Sequence, residues 1–312
     1  MKYFIITVDT EGDNLWNWNE GEKITTQNVK AIPKFQALCE RFEFKPVYLI
    51  NYEMAMNDEL VEYLKEKAKK NLCEIGIHIH AWNTPPVYKL EGKYNGNPYI
   101  TEYPKEIMLE KVTFLKNLIE DRFDTKVISH RSGRWATNEE YFKVLKEVGI
   151  KIDCSVTPEI NMSMLAGRSC KKGPNYTHFQ KNTYSICDGI IEVPMSTRKV
   201  RRLVNGSLQH KIKCLLLGDA LWMRILSENI TDVKYLKNKI EKENKCNYIE
   251  FMLHSSELMP GGSPYFPSDK DVDQLFESLK RVFKDFSQNG YTGVTLKQYI
   301  KLTENIDRIY TP

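Results

Sequence analysis

Apolar and polar positions follow two rhythms along the chain. Short apolar runs rich in Val, Ile, Tyr and Phe predict strands at residues 3–9, 45–51, 73–81, 126–131, 151–157, 189–195 and 248–254. A short last strand is predicted at 293–296. Between them the spacing is helical, at 26–42, 58–70, 105–121, 138–148, 232–244 and 268–288. Asn57 or Asp58 caps one of these helices, and Thr137-Asn138-Glu139-Glu140 opens another that Gly149 closes. Such alternation predicts an α/β protein with a mostly parallel sheet and helices outside. Seven or eight units in 312 residues predict a closed or nearly closed barrel rather than an open sheet.

Two stretches break the rhythm. Residues 159–185 are polar and rich in Gly, Lys and aromatics, which predicts a loop or partial lid. Residues 196–231 begin with Arg198-Lys199-Val200-Arg201-Arg202 and continue into an apolar stretch of helical character, 212–226. That stretch reads as a helix packed on the barrel wall. A peripheral contact with an anionic membrane is a second reading, and it requires Trp222 and its neighbours to be exposed. A homo-oligomer contact is a third. No repeat or linker stands out, so residues 1–312 are expected to form one domain with insertions at about 159–185 and 196–231.

Bulk properties narrow the class. A hydrophobic content of 41% with 28% charged residues is that of a soluble globular protein. A net charge of +4, without a nucleic-acid-binding motif, gives no argument for a nucleic-acid partner. The opening apolar run meets Asp9 at once and does not read as a signal peptide, and no run reaches membrane-spanning length. Seven cysteines without C-x-x-C spacing read as reduced thiols, and a cytoplasmic location is expected.

Chemistry gathers at the predicted strand ends. In Glu74-Ile75-Gly76-Ile77-His78-Ile79-His80-Ala81-Trp82, the period of two puts His78 and His80 on one face, as a bidentate metal site or as two satisfied polar residues. Asp9 and Glu11 share a face in the same way, as a cation site, as a base and a ligand, or as solvated acids at a strand end. His130 and Arg131 must face opposite ways. Arg131 suits the centre, as the partner that keeps a carboxylate ionised, and His130 suits packing against a helix. Asp153 and Ser155 lie on the fifth strand. His254 ends the seventh and suits a general acid. Five strands thus end in titratable or metal-binding side chains, where an α/β barrel places its active site.

These segments, Thr7–Glu11, Glu74–Pro86, His130–Trp135, Asp153–Pro158 and Met252–Glu257, resemble in order the motifs of polysaccharide deacetylases with the NodB homology domain, a carbohydrate esterase group. The similarity is greatest to a divergent branch of surface-polysaccharide biosynthesis. The resemblance implies a distorted (β/α) barrel of about seven parallel strands, and metal-dependent removal of acetyl from an N-acetylated sugar or lipid-linked saccharide. It implies Asp9 as general base, Arg131 as the residue that orients it, and His254 as general acid tuned by Asp153. Met252 is implied at the acetyl pocket. Trp82, Trp135, Tyr176 and Tyr265 are candidates for stacking on sugar rings.

The chain departs from the family pattern at the metal motifs. Thr10 stands where a second aspartate is usual, and Trp82 stands where a second histidine would lie at i, i+4. The expected ligands are therefore Glu11, His78 and His80, one carboxylate and two imidazoles holding a divalent ion, zinc first. Two other readings follow: hydrolysis of a different amide such as N-formyl, and a glycan- or partner-binding pseudoenzyme.

Overall fold

A computed structural model describes residues 1–170, 172–187, 189–201, 207, 214, 216, 218–227 and 230–303. Its central strands are buried on both faces, because both sides of the sheet are covered. β1 (Lys2–Thr10), β2 (Val47–Ile50), β3 (Glu74–Ile79), β4 (Ser129–Ser132), β5 (Ile152–Asp153), β7 (Ile190–Glu192) and β10 (Tyr248–His254) are all parallel. The sheet order is β10-β1-β2-β3-β4-β5-β7-β6, with β6 (Tyr184–Cys187) antiparallel at the edge. β11 (Tyr291–Gly293) pairs with the start of β1. This curled parallel sheet with helices outside is consistent with the distorted (β/α) barrel that the resemblance implies.

Strand parity sorts the core into two layers. Phe4, Ile6 and Val8 face outward and pack with Phe35, Phe283 and Phe286 of the helices Ile32–Arg41 and Asp269–Gln288. Tyr3, Ile5, Val47, Leu49, Ile152, Cys154 and Tyr248 face inward, where the helix Leu296–Leu302 plugs the lower mouth with Leu296 and Tyr299. Glu74 fixes that plug to β3, accepting from Lys297 N at 2.8 Å and from Ser129 Oγ at 2.7 Å. Going up β1, the inward residues turn from Tyr3 and Ile5 to Thr7 and Asp9, so the interior is apolar at the bottom and charged at the top.

The ladder does not run from β7 to β10. Three bonds bridge the gap: Tyr248 Oη to Pro194 O at 2.7 Å, Glu250 N to Ser196 Oγ at 3.0 Å, and Met252 N to Met223 O at 3.0 Å.

The interrupting stretches resolve differently from each other. Among the described residues of 159–185 there is no helix before β6, only an isolated bridge between Asn161 and Asn175. The helical expectation for 212–226 is corrected. Cys214 and Leu216 are helical, but β9 (Asp219–Trp222) pairs antiparallel with β8 (Thr197–Val200). Leu221 is buried and Ala220 exposed, a period of two that a Leu-rich run hides. Ile212, Leu215, Leu217 and Arg202 lie outside the described residues. Arg198 is buried and paired with Glu243 at 2.8 Å, while Leu221, Met223 and Ile225 are buried. Trp222 is half-buried against Trp135, whereas Leu216 and Leu226 of the same stretch are exposed. Among the described residues no helix is long and apolar enough to cross a membrane. The short last strand is Tyr291–Gly293, ahead of its predicted place, because Thr295 already caps the final helix.

Candidate metal centre and active site

Parallel pairing brings the upper strand ends to one rim. Asp9 stands in register with His254 and with Leu49, and His78 with Arg131. Asp9, Glu11, His78, His80, Arg131 and His254 meet inside the barrel mouth. A cleft of about 280 Å³ opens over them, lined by all of these except the fully buried Arg131 and by Leu15, Trp16, Trp82, Asn97, Ser132, Arg134 and Trp135. A larger hollow of about 610 Å³ lies at the opposite mouth, but its one carboxylate, Glu241, is already paired with Lys2.

Glu11, His78 and His80 are buried and place one donor atom each within 4.8 Å of the others. His78 Nε2 and His80 Nε2 are 3.0 Å apart, and Glu11 Oε2 lies 3.4 Å from the first and 3.1 Å from the second. Donors about 2.0–2.1 Å from a tetrahedral ion stand about 3.3 Å from one another, so this triangle has the edges of one face of a zinc site. Nδ1 of both imidazoles is buried without a hydrogen-bond partner. The donor set fits a divalent ion.

The supports of the triangle come from distant segments. Glu11 N donates to Ser255 Oγ at 3.1 Å, and Asn28 Nδ2 donates to Glu11 O at 2.8 Å. Gly133 passes so close to His80 that an added Cβ would sit 2.5 Å from its Cδ2. Trp82 stacks on the His80 ring at 4.4 Å. The loop after His80 is held by the buried Lys111, whose Nζ donates to Thr84 O and Pro86 O at 2.6 Å each. Burial without a counter-charge lowers that ammonium to about 8.

Arg131 is the central cation. Nη1 donates to Asp9 Oδ1 at 2.6 Å, Nη2 to Thr7 Oγ1 at 2.9 Å and to Glu250 Oε1, and Nε to Cys154 O at 3.1 Å. Burial alone would raise the Asp9 carboxyl; Arg131, His78 and His254 together outweigh it and hold it below its ordinary value. For Glu250 burial wins over Arg131, and the carboxyl rises to about 7. His254 Nε2 lies 3.8 Å from Asp9 Oδ2 and 3.9 Å from Glu11 Oε1. Burial would lower this imidazole, but Glu11 and Glu257 raise it on balance, against Arg224.

Asp153 requires a correction. It stands in register with His130, and both point outward, to the helix side of the sheet. His130 Nδ1 donates to Asp153 Oδ1 at 2.6 Å and Tyr141 Oη donates to His130 Nε2 at 2.8 Å, which is the packed histidine the sequence suggested. Ser155 Oγ donates to Asp153 Oδ1 at 2.8 Å. Ile152 of β5 and Cys154 just after it face inward, so Asp153 between them cannot reach His254. The acid beside His254 is Glu257, with Oε1 3.7 Å from Nδ1, and Arg224 Nη2 stands 3.3 Å from the same nitrogen while also donating to Glu257.

Two substrate-binding expectations also change. Met252 faces inward below His254 but is fully buried in the core and does not line the cleft. Tyr176 is buried, its hydroxyl bonded to Trp135 O and to Thr137 Oγ1 at 2.9 Å, so it braces Trp135 rather than meeting a ligand. Trp82 and Trp135 do line the cleft, as does Trp16, which meets His254 edge-on at 5.2 Å. Tyr265 is partly exposed behind Trp16, edge-on at 5.6 Å. Sequence reasoning missed Trp16, Arg224, Glu250 and Glu257. Parity on β10 exposes Glu250, and a helical turn three residues long exposes Glu257; Arg224 gives no local signal.

No family model matches this chain, and no curated protein does. Among solved structures, a candidate polysaccharide deacetylase from Mycobacterium smegmatis aligns over 100% of this chain and 94% of its own, with a TM-score of 0.58 and 12% identity. A GH57-type branching enzyme from Pyrococcus horikoshii aligns over 100% of this chain and 72% of its own, with a TM-score of 0.55 and 10% identity. A 4-alpha-glucanotransferase from Thermococcus litoralis aligns over 97% of this chain and 38% of its own, with a TM-score of 0.52 and 16% identity. At these identities the likeness is one of fold, shared by proteins named for different chemistries, and what this barrel does has to be argued from its own rim.

Proposed function

We propose that this protein is a metal-dependent N-deacetylase of an amino sugar, free or lipid-linked, in cytoplasmic steps of surface-polysaccharide biosynthesis. One juxtaposition supports the reading: the Glu11–His78–His80 triangle stands beside an Asp9 held ionised by Arg131 and a His254 that faces both carboxylates. Glu11, His78 and His80 would hold a divalent ion, zinc first, which would supply Lewis acidity and make water more acidic. Asp9 Oδ1 is taken by Arg131, which leaves Oδ2 to accept the proton of the attacking water. His254 presents Nε2 to the cleft and gives its proton to the departing nitrogen, while Glu257 and Arg224 fix the other side of the ring. The water oxygen bonds to the acyl carbon, the C–N bond breaks, and acetate and a free amine leave. Trp16, Trp82 and Trp135 offer ring surfaces to the sugar. Glycoside cleavage would need two carboxyls free to flank the bond, and here Glu11 is committed to two imidazoles.

The test is acetate release. Protein stripped by chelator and reloaded with zinc should release acetate from members of a panel of N-acetyl amino sugars, and the stripped protein should not. Formate released from N-formyl analogues, with no acetate, would move the reading to another amide. Neither product from the loaded protein would defeat it.

A further inference from the structure

Three arginines stand around the cleft, and two of them are neutralised. Arg131 is paired with Asp9 and Glu250, and Arg224 with Glu257. The third, Arg134, has no carboxylate within ion-pair distance among the described residues. Its Nη1 donates to Asn97 O and its Nη2 to Ala166 O at 3.0 Å, and its guanidinium lies over the Tyr99 ring at 4.1 Å. Two neutral carbonyls and the Tyr99 side chain engage the guanidinium, so its hydrogen-bonding partners carry no formal counter-charge.

The backbone that presents Arg134 is strained and firmly held. Arg134 and Trp135 lie consecutively in the left-handed region, with φ of 56° and 64°, which side chains with a Cβ disfavour. Gly133 is pressed against His80 on one side, and the Tyr176 hydroxyl grips Trp135 O on the other. Arg131 lies 4.9 Å over the Trp135 ring. A strained turn, fixed at both ends next to a reactive centre, holds a cation in the cleft wall. The half-buried Asn97 lies beside it on the same wall.

We infer that Arg134 is an anion subsite: the amino sugar bound here carries a carboxylate or a phosphate that completes the guanidinium. The inference rests on the amino-sugar reading above and adds the charge of the substrate to it. The anion takes the free N–H donors as charge-assisted hydrogen bonds, which are stronger and more directional than neutral ones. In that position it also balances a charge that the protein leaves open.

The test is calorimetric titration of the full chain in the Asp9→Asn background, so that the acetamide survives. The probes are N-acetylglucosamine, its 6-phosphate, and N-acetylmuramic acid, which carries a carboxylate. At least one anionic probe should bind about tenfold tighter than the neutral sugar. The tighter of the two identifies phosphate or carboxylate. The advantage should vanish in Arg134→Gln, persist in part in Arg134→Lys, and shrink from about 50 to about 500 mM NaCl. Circular dichroism checks that each variant folds. Equal binding of neutral and anionic probes would overturn the anion subsite and leave the amino-sugar reading standing. Equal loss of all probes in Arg134→Gln would overturn it too, marking Arg134 as a strap between Asn97 and Ala166. No binding of any probe to the parent would overturn both.

Discussion

His130 and Arg131 are neighbours in the chain, yet their side chains enter two different polar clusters on opposite sides of one sheet. Both clusters combine histidine with buried carboxylates. In the outward one, His130 spends one nitrogen on Asp153 and the other on Tyr141, while Ser155 adds a second bond to Asp153. In the inward one, three donor atoms crowd within 4.8 Å, both Nδ1 atoms lack a partner, and a cleft opens above. A buried histidine–carboxylate pair with closed valences braces strands. The same residue types, crowded under an opening, form a donor set that fits an ion. The composition of the two clusters does not distinguish them; the bonds left over do.

The comparison breaks most sharply at the ligands. The double variant His78→Ala, His80→Ala should lose at least ~10³-fold in kcat/KM, the several kcal/mol that a catalytic metal supplies. Zinc added to stripped wild type should raise its unfolding midpoint, as any ligand of the folded state does, and calorimetry of the double variant should show no such rise. Equal zinc stabilisation of both proteins would put the metal elsewhere.

Next come the proton-transfer residues. Asp9→Asn and His254→Ala should each lower kcat by at least ~10²-fold with zinc binding retained. Steady-state acetate release together with metal analysis separates this result from loss of the site.

The outward cluster should answer in the opposite way. Asp153→Asn should reduce unfolding free energy by about 1–3 kcal/mol, because it weakens buried hydrogen bonds to His130 and Ser155, and should leave kcat/KM and zinc affinity unchanged. A large loss of activity at unaltered stability would return Asp153 to the catalytic set.

The last effect is a pH dependence and belongs to Glu250, under Arg131. Its carboxyl rises from an ordinary 4.5 to about 7 in the fold. Between those values the folded state binds the proton and the unfolded state has released it. Its contribution to stability is therefore present below about pH 4.5 and lost as the pH rises to about 7, at no more than about 1.4 kcal/mol per pH unit. Denaturant unfolding across that window should be less steeply pH-dependent in Glu250→Gln than in wild type.

Much of this was legible in the sequence, for one physical reason: strands buried on both faces are written as dense apolar runs, and parity then fixes which way each residue looks. That logic places Glu11 with His78 and His80, and Arg131 opposite His130. Applied to β5 it also turns Asp153 away from the mouth, but the family likeness pointed the other way and the geometry overrules it. Residues 219–222 were misread because a Leu-rich segment satisfies a helical stripe and a strand face equally well, and only its pairing with Thr197–Val200 decides between them. Arg224 was invisible because it meets His254 across a turn of the fold that no spacing records.

The pairing of β1 with β10 also governs when the site comes into being. Thr7 and Glu250 share a hydrogen bond across 243 residues of chain, and Asp9 and His254 meet through the same pair of strands. During synthesis, β1 through β7 emerge from the ribosome while the flank of β1 that will take β10 is still bare. Such distant partners make for slow closure, and a bare strand edge invites other chains. Glu11, His78 and His80 all lie within the first 80 residues, but the Glu11 backbone is bonded to Ser255, which arrives with His254 at the end of β10. The triangle and the histidine beside it are therefore completed together, when β10 pairs with β1.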